Sequence, residues 1–125
     1  MDKKKILVVD DESGLVEMLS IRLEVNNYQV ISASDGQEGL DKARSEAPDL
    51  IILDLMLPRL DGYQVCRALK SDEKYKQIPI VIFTARAQES DIRAGKEAGA
   101  DAYITKPFEP DILLAKVSQL IEKSP

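Results

Sequence analysis

The sequence predicts a doubly wound α/β fold, a parallel five-stranded sheet with helices on both faces. Three observations carry that prediction. Five times along the chain an apolar, strand-like run is followed by a longer segment with helical spacing. Three of those runs, Ile6-Leu7-Val8-Val9, Leu50-Ile51-Ile52-Leu53 and Ile80-Val81-Ile82-Phe83, are unbroken, as strands covered on both faces should be. The length of 125 residues, with 44% hydrophobic and 31% charged, suits one domain that buries its core without disulfides or a structural metal.

The elements follow in order. The first strand is placed at Lys5–Asp10, and a helix begins near Ser13. Leu15, Met18, Leu19 and Leu23 give that helix its one-sided i, i+3, i+4, i+8 stripe, and Asn26-Asn27 stops it. The second strand, Gln29–Ala33, is mixed in polarity; the next helix begins near Asp35. The third strand is Asp49–Asp54, followed by a helix from Gly62, and the fourth is Pro79–Thr84. A helix from Gln88 to Ala98 has Ile92 as its single aliphatic anchor. It reads equally as a plain surface helix or as a weakly held element able to shift for a few kcal/mol. The fifth strand, Ala102–Thr105, is again mixed. The last helix starts at Pro110, where a first turn tolerates proline, and carries Leu113, Val117, Leu120 and Ile121. Right-handed crossovers, with the mixed strands two and five at the edges, select the order 2-1-3-4-5. That is the known flavodoxin-like order, whose switch point lies between strands one and three.

Composition narrows the function. The 17 Lys and Arg against 22 Asp and Glu leave a net charge of −5, which argues against a nucleic-acid surface. No apolar run approaches the ~18 residues of a membrane span, so no membrane insertion is expected. The one cysteine, Cys66, has no internal partner and points to a reducing, cytoplasmic compartment. The absence of histidine excludes His-type zinc sites, Ser-His-Asp catalysis and a phosphohistidine on this chain.

The chemistry gathers where the strands end. Strand one runs into Asp10-Asp11, strand three into Asp54, strand four into Thr84 and strand five into Lys106-Pro107. Taken singly each residue has an ordinary explanation: Asp11 as a helix cap, Thr84 as a strand end, Lys106 as a solvated loop lysine. Together they do not. Three carboxylates on one rim repel one another unless a cation or a proton offsets them. Oxygen donors without His or Cys suit a hard divalent ion, Mg²⁺ best, with Mn²⁺ as a substitute. Three acids, one lysine and one hydroxyl suit a phosphoryl group, with Lys106 offsetting charge and Thr84 donating a hydrogen bond. The nucleophile must then be a carboxylate. Asp54 stands alone at the end of its strand, whereas Asp10-Asp11 looks like a metal clamp.

At these residues the chain resembles a response-regulator receiver domain of two-component signalling, of the chemotaxis-regulator type, over essentially its whole length, 1–125. The matching stretches are Ile6-Leu7-Val8-Val9-Asp10-Asp11, Asp49-Leu50-Ile51-Ile52-Leu53-Asp54-Leu55-Met56-Leu57-Pro58 with Asp61-Gly62, Thr84-Ala85, and Gly99 through Phe108. The resemblance implies that Asp54 accepts phosphate from a partner's phosphohistidine, on a histidine kinase or histidine phosphotransfer protein. It implies Mg²⁺ held by Asp10, Asp11, Asp54 and the Met56 carbonyl, and Lys106 on the phosphoryl oxygens. Thr84 moves towards the phosphoryl group, the Ala85 backbone N–H helps to bind it, and Tyr103 turns inward. Lys106-Pro107 is expected to be a cis peptide. The domain would catalyse its own phosphorylation and dephosphorylation without independent turnover, and switch the surface of helix four, strand five and helix five towards a downstream protein. Ala102 and Lys116 stand where the family's winged-helix branch carries charged dimerisation pairs, so a monomer or a weak phosphorylation-dependent dimer is expected.

Three rivals share parts of this pattern. A flavodoxin-like cofactor protein needs a Gly/Ser/Thr-rich phosphate loop after strand one, where Asp11-Glu12-Ser13 stands instead. A haloacid-dehalogenase-type phosphatase wants a second aspartate two residues after the first, and that position is Met56. A pseudo-receiver, a binding module independent of phosphorylation, usually lacks an acid or the lysine, and none is missing here.

Overall fold

A computed structural model of the protein describes residues 3–107 and 109–123. Its elements run β1 (Lys5–Val9), α1 (Ser13–Val25), β2 (Gln29–Ala33), α2 (Gly36–Glu46), β3 (Leu50–Leu53), α3 (Gly62–Lys70), β4 (Ile80–Thr84), α4 (Glu89–Glu97), β5 (Ala102–Thr105) and α5 (Pro110–Lys123). The strands form one parallel five-stranded sheet in the order β2-β1-β3-β4-β5. This is the predicted fold. Phe108, part of the matching stretches above, lies outside the described residues, as do the terminal residues 1–2 and 124–125.

The unbroken apolar strands are buried on both sides because alternate residues serve two different cores. Leu7, Val9, Ile51, Leu53 and Ile80 face Leu40, Ala43, Val65, Cys66 and Leu69 of α2 and α3. Ile6, Val8, Leu50, Ile52, Val81 and Phe83 face Leu19 and Leu23 of α1 and Leu113 and Val117 of α5. A one-residue slip of any central strand would exchange its two faces, so the register is tightly specified.

Two expectations about helix faces need correction. Met18 is 41% exposed and not in the α1 stripe, which Leu15 and Val16 complete beside Leu19 and Leu23. Ile92 is likewise 41% exposed, so it does not anchor α4. The buried residues of that helix are Asp91 and Gly95, with Ala98 following at its C-terminal cap. The helix therefore rests on very little apolar area. Asn26-Asn27 does end α1, and Asn27 adopts a left-handed φ of 73° that asparagine tolerates well. Among the described residues no helix is long and apolar enough to cross a membrane.

Candidate functional site

β1 and β3 are neighbours, so the residues that follow them are brought side by side. Both strands stop one residue short of their aspartates. The Asp10 N–H still donates to the Ala33 carbonyl at 3.1 Å and the Asp54 N–H to the Val9 carbonyl at 3.0 Å. These last ladder bonds fix the aspartate backbones at the switch point. Oxygen atoms of Asp10, Asp11 and Asp54 lie within 4.8 Å of one another. Asp10 and Asp54 are buried, at 4% and 6% exposure, while Asp11 is exposed.

Lys106 enters from β5. Its N–H donates to the Thr84 carbonyl at 2.8 Å, and the Lys106–Pro107 peptide is cis. Its ammonium reaches Asp10 Oδ2 at 2.9 Å and Asp54 Oδ2 at 3.2 Å, and lies 5.3 Å from the centre of the Phe83 ring. The other oxygens are held by backbone: Asp10 Oδ1 accepts from the Glu12 N–H at 3.0 Å and Asp54 Oδ1 from the Met56 N–H at 3.2 Å. The chain itself thus supplies a cation for two of the three acids. Burial raises the Asp10 pKa above the ordinary carboxylate value, a shift that the Glu12 N–H and Lys106 only partly oppose. Burial alone would lower the Lys106 pKa, but its hydrogen bond to Asp10 and the Asp54 charge outweigh that and leave it raised.

Asp11 is not a cap. The N-cap of α1 is Glu12, without a side-chain cap bond, and the neighbouring N–H is served by Asp10. Asp11 and Asp10 line an open groove of about 350 Å³ with Ser13, Glu17, Ser32 and Lys42. Thr84 is fully buried, and its Oγ1 accepts a long 3.4 Å bond from the Arg86 N–H. Tyr103 is half-buried, and its hydroxyl donates to the Arg86 carbonyl at 2.7 Å. Burial pushes the Tyr103 hydroxyl up to about 12, so it stays a donor at neutral pH. Ala85 is exposed at the rim, directly after Thr84.

Sequence reasoning missed several supporting residues. Asp61 and Gln64 form a capping box at α3, each side chain bonded to the other's N–H at 3.0 Å. The Asp-x-x-Gln spacing could have signalled it. Gly62 sits so close to the Asp54 carbonyl that an added Cβ would fall 2.3 Å from the oxygen. The contact of Phe83 with Lys106 and the bond from the Tyr103 hydroxyl to the Arg86 carbonyl had no signal, because they join segments far apart in the chain.

Oxygen-only donors around a lysine, at the switch point of this sheet, define a site for a hard cation and an anionic group. The chain matches the response regulator receiver domain family over residues 6–118. It is 50% identical over 121 residues to the alkaline phosphatase synthesis transcriptional regulatory protein PhoP of Bacillus subtilis (strain 168), covering 97% of this chain and 50% of that protein. The CheY-like response regulator receiver domain protein of Methanospirillum hungatei JF-1 superposes with a TM-score of 0.92 at 29% identity, over 98% of this chain and 97% of that one. The BeF₃-activated DrrB receiver domain superposes with a TM-score of 0.88 at 34% identity, over 98% of this chain and 100% of that one. The chain belongs to the response-regulator receiver domain family and has its function, that of a phospho-acceptor in two-component signal transduction. Its chemistry is its own phosphorylation and dephosphorylation. The chain spans about half the length of the curated relatives it matches.

Proposed function

We propose that Asp54 is the phospho-acceptor and that the chain, 1–125, is a single receiver domain acting in the cytoplasm. The carrying observation is the Lys106 ammonium between Asp10 and Asp54, beside a third carboxylate. In the reaction an Asp54 carboxylate oxygen attacks the phosphorus of a phosphohistidine on a histidine kinase or histidine phosphotransfer protein. The P–O bond forms, the P–N bond breaks with its electron pair going to the ring nitrogen, and a phosphohistidine protonated on its other ring nitrogen leaves as neutral imidazole. Asp54 is held for attack through the Met56 N–H on Oδ1. Lys106, already on Asp54 Oδ2, then meets the phosphoryl oxygens as a point charge. The Thr84 hydroxyl and the Ala85 N–H supply the remaining donors. Asp10, Asp11, Asp54 and the Met56 carbonyl would hold Mg²⁺, and Mn²⁺ suits the same oxygens. When bound, Mg²⁺ offsets the charge on the phosphoryl oxygens. The output starts at Thr84, the last residue of β4, and Tyr103 of β5, and changes the surface of α4, β5 and α5, which a downstream protein module reads without direct nucleic-acid contact.

With Mg²⁺ and a small acyl phosphate, the intact protein is expected to gain one phosphoryl mass and Asp54→Ala none. Equal labelling of both would sink the assignment. A parent that takes no label yet binds a partner would be a pseudo-receiver. A second outcome concerns the exposed acid. Because Lys106 neutralises much of the buried pair and Asp11 is solvated, Asp11→Asn is expected to change the metal-free stability by no more than about 0.5 kcal/mol. Its stabilisation by Mg²⁺, read as a shift in thermal midpoint, should nonetheless fall well below the parent's. An unchanged Mg²⁺ response would remove Asp11 from the ligand set.

A further inference from the structure

The buried polar residues include Asp10, Asp54, Thr84 and Asp91. The first three belong to the site above. Asp91 lies in the first turn of α4, where the phosphorylation chemistry makes no use of it. A buried carboxylate persists only when its oxygens are paired, and here both are. Asp91 Oδ1 meets the Arg86 guanidinium at 2.9 Å, and Oδ2 accepts from the Gln88 N–H at 3.2 Å. Its carbonyl accepts the Tyr63 hydroxyl of α3 at 3.1 Å.

Arg86 is the other half of this arrangement, and it uses different atoms for different partners. Its side chain holds Asp91, its N–H faces Thr84 Oγ1, and its carbonyl receives the Tyr103 hydroxyl. We propose that Arg86 and Asp91 form a clasp that makes the loop 85–88 and α4 move as one unit with Thr84. Asp91 and the Arg86 side chain are thus positioning residues. This inference rests on the Asp54 reading above and extends it to the route by which the change leaves the site.

Two observations make the clasp consequential. α4 buries only Asp91 and Gly95, so apolar packing does little to tie it to the loop. Gly95 also places the helix against Tyr103, since an added Cβ there would meet the ring at 3.0 Å. A displacement of Thr84 therefore reaches α4 by two routes, through Arg86 to Asp91 and through Tyr103 to Gly95. Only the first involves a side chain that can be replaced without touching the backbone contacts to Thr84 and Tyr103.

The test is Arg86→Gln, with Arg86→Lys as the conservative variant and Asp91→Asn as a second way of removing the charge pair. Backbone amide spectra are recorded with and without Mg²⁺ and beryllofluoride, a phosphoryl stand-in. In the parent, signals of Thr84 and of α4 are expected to shift together. In Arg86→Gln and Asp91→Asn the Thr84 shift should persist. The ratio of the α4 shift to the Thr84 shift should fall clearly below the parent's, towards what the Tyr103–Gly95 route alone carries. Arg86→Lys should restore most of it. A merely structural role would lower the thermal midpoint but leave that ratio unchanged, and this result overturns the clasp. A parent that shows no shift at Thr84 overturns the Asp54 reading, and the clasp with it.

Discussion

Replacing Lys106 with alanine is expected to lower the stability of the metal-free protein and raise its affinity for Mg²⁺. The ammonium holds Asp10 and Asp54 at 2.9 and 3.2 Å, and both carboxylates are almost fully buried. Removing one partner of a buried ion pair costs about 3–5 kcal/mol, because the charge left behind stays desolvated. In a domain of this size that corresponds to a fall of roughly 10 °C or more in thermal midpoint. The same ammonium competes with a divalent cation for the carboxylate oxygens, so its loss should tighten Mg²⁺ binding, by about tenfold for each 1.4 kcal/mol of competition removed. Saturating Mg²⁺ should then restore more stability to the variant than it adds to the parent. The variant should still lose the phosphate-dependent change at Thr84 and Tyr103.

The pH dependence gives the same prediction a second reading. The Lys106 pKa is raised in the folded protein, so its contribution is fully present below the ordinary lysine value and is lost as pH climbs through the folded one. The Asp10 pKa is raised, chiefly by burial, so protonating it relieves the folded state as pH falls. The gap in midpoint between parent and Lys106→Ala should therefore be widest around neutrality and shrink towards both extremes. Thermal melts across pH, with and without Mg²⁺, measure it. Equal neutral midpoints, or weaker Mg²⁺ binding in the variant, would show that Lys106 is not the counter-ion of this pair.

The parts of this molecule legible in the sequence are those set by short-range pattern. Ile6 through Val9, Leu50 through Leu53 and Ile80 through Phe83 declare central strands because every residue must be apolar when both faces are covered. Once the order follows, Asp10, Asp54, Thr84 and Lys106 fall on one rim without further information. What stayed hidden is settled by helix phase and by particular side-chain contacts. Ile92 has the composition of an anchor, yet helix phase turns it outward and gives the buried positions to Asp91 and Gly95. Met18 fails for the same reason, since the position is apolar but off the contact face of α1. The acids on one rim declare the need for a counter-charge, but not that the Lys106 ammonium, 52 residues from Asp54 in sequence, lies 3.2 Å from it in space. No local rule connects Arg86 to Asp91 through one carboxylate oxygen while its backbone serves Thr84 and Tyr103.

Gly62→Ala is expected to damage both the fold and the site, and Gly14→Ala to damage neither. At Gly62 an added Cβ would lie 2.3 Å from the Asp54 carbonyl oxygen and 2.7 Å from the Leu55 Cα. Both are backbone atoms, so no side chain can swing aside. The Gly62 N–H also donates to the Leu55 carbonyl at 3.0 Å, which pins the start of α3 against the turn after β3. To admit a methyl group, either α3 must withdraw from the capping box at Asp61 or the Asp54–Leu55 backbone must shift. Overpacking of this kind costs about 1–3 kcal/mol, and more where backbone has to move. Shifting Asp54 also disturbs its distance to Lys106, so phosphorylation by a small acyl phosphate should slow even in the folded fraction. Gly14, in the first turn of α1, has nothing within 4 Å of its added Cβ. Alanine there gains helix propensity worth up to about 1 kcal/mol relative to glycine and should raise the midpoint slightly. Melting and labelling of the two variants side by side give opposite signs if close approach at Asp54 is the reason for Gly62. If Gly62→Ala melts and labels like the parent, α3 yields at no cost and does not position the phospho-acceptor.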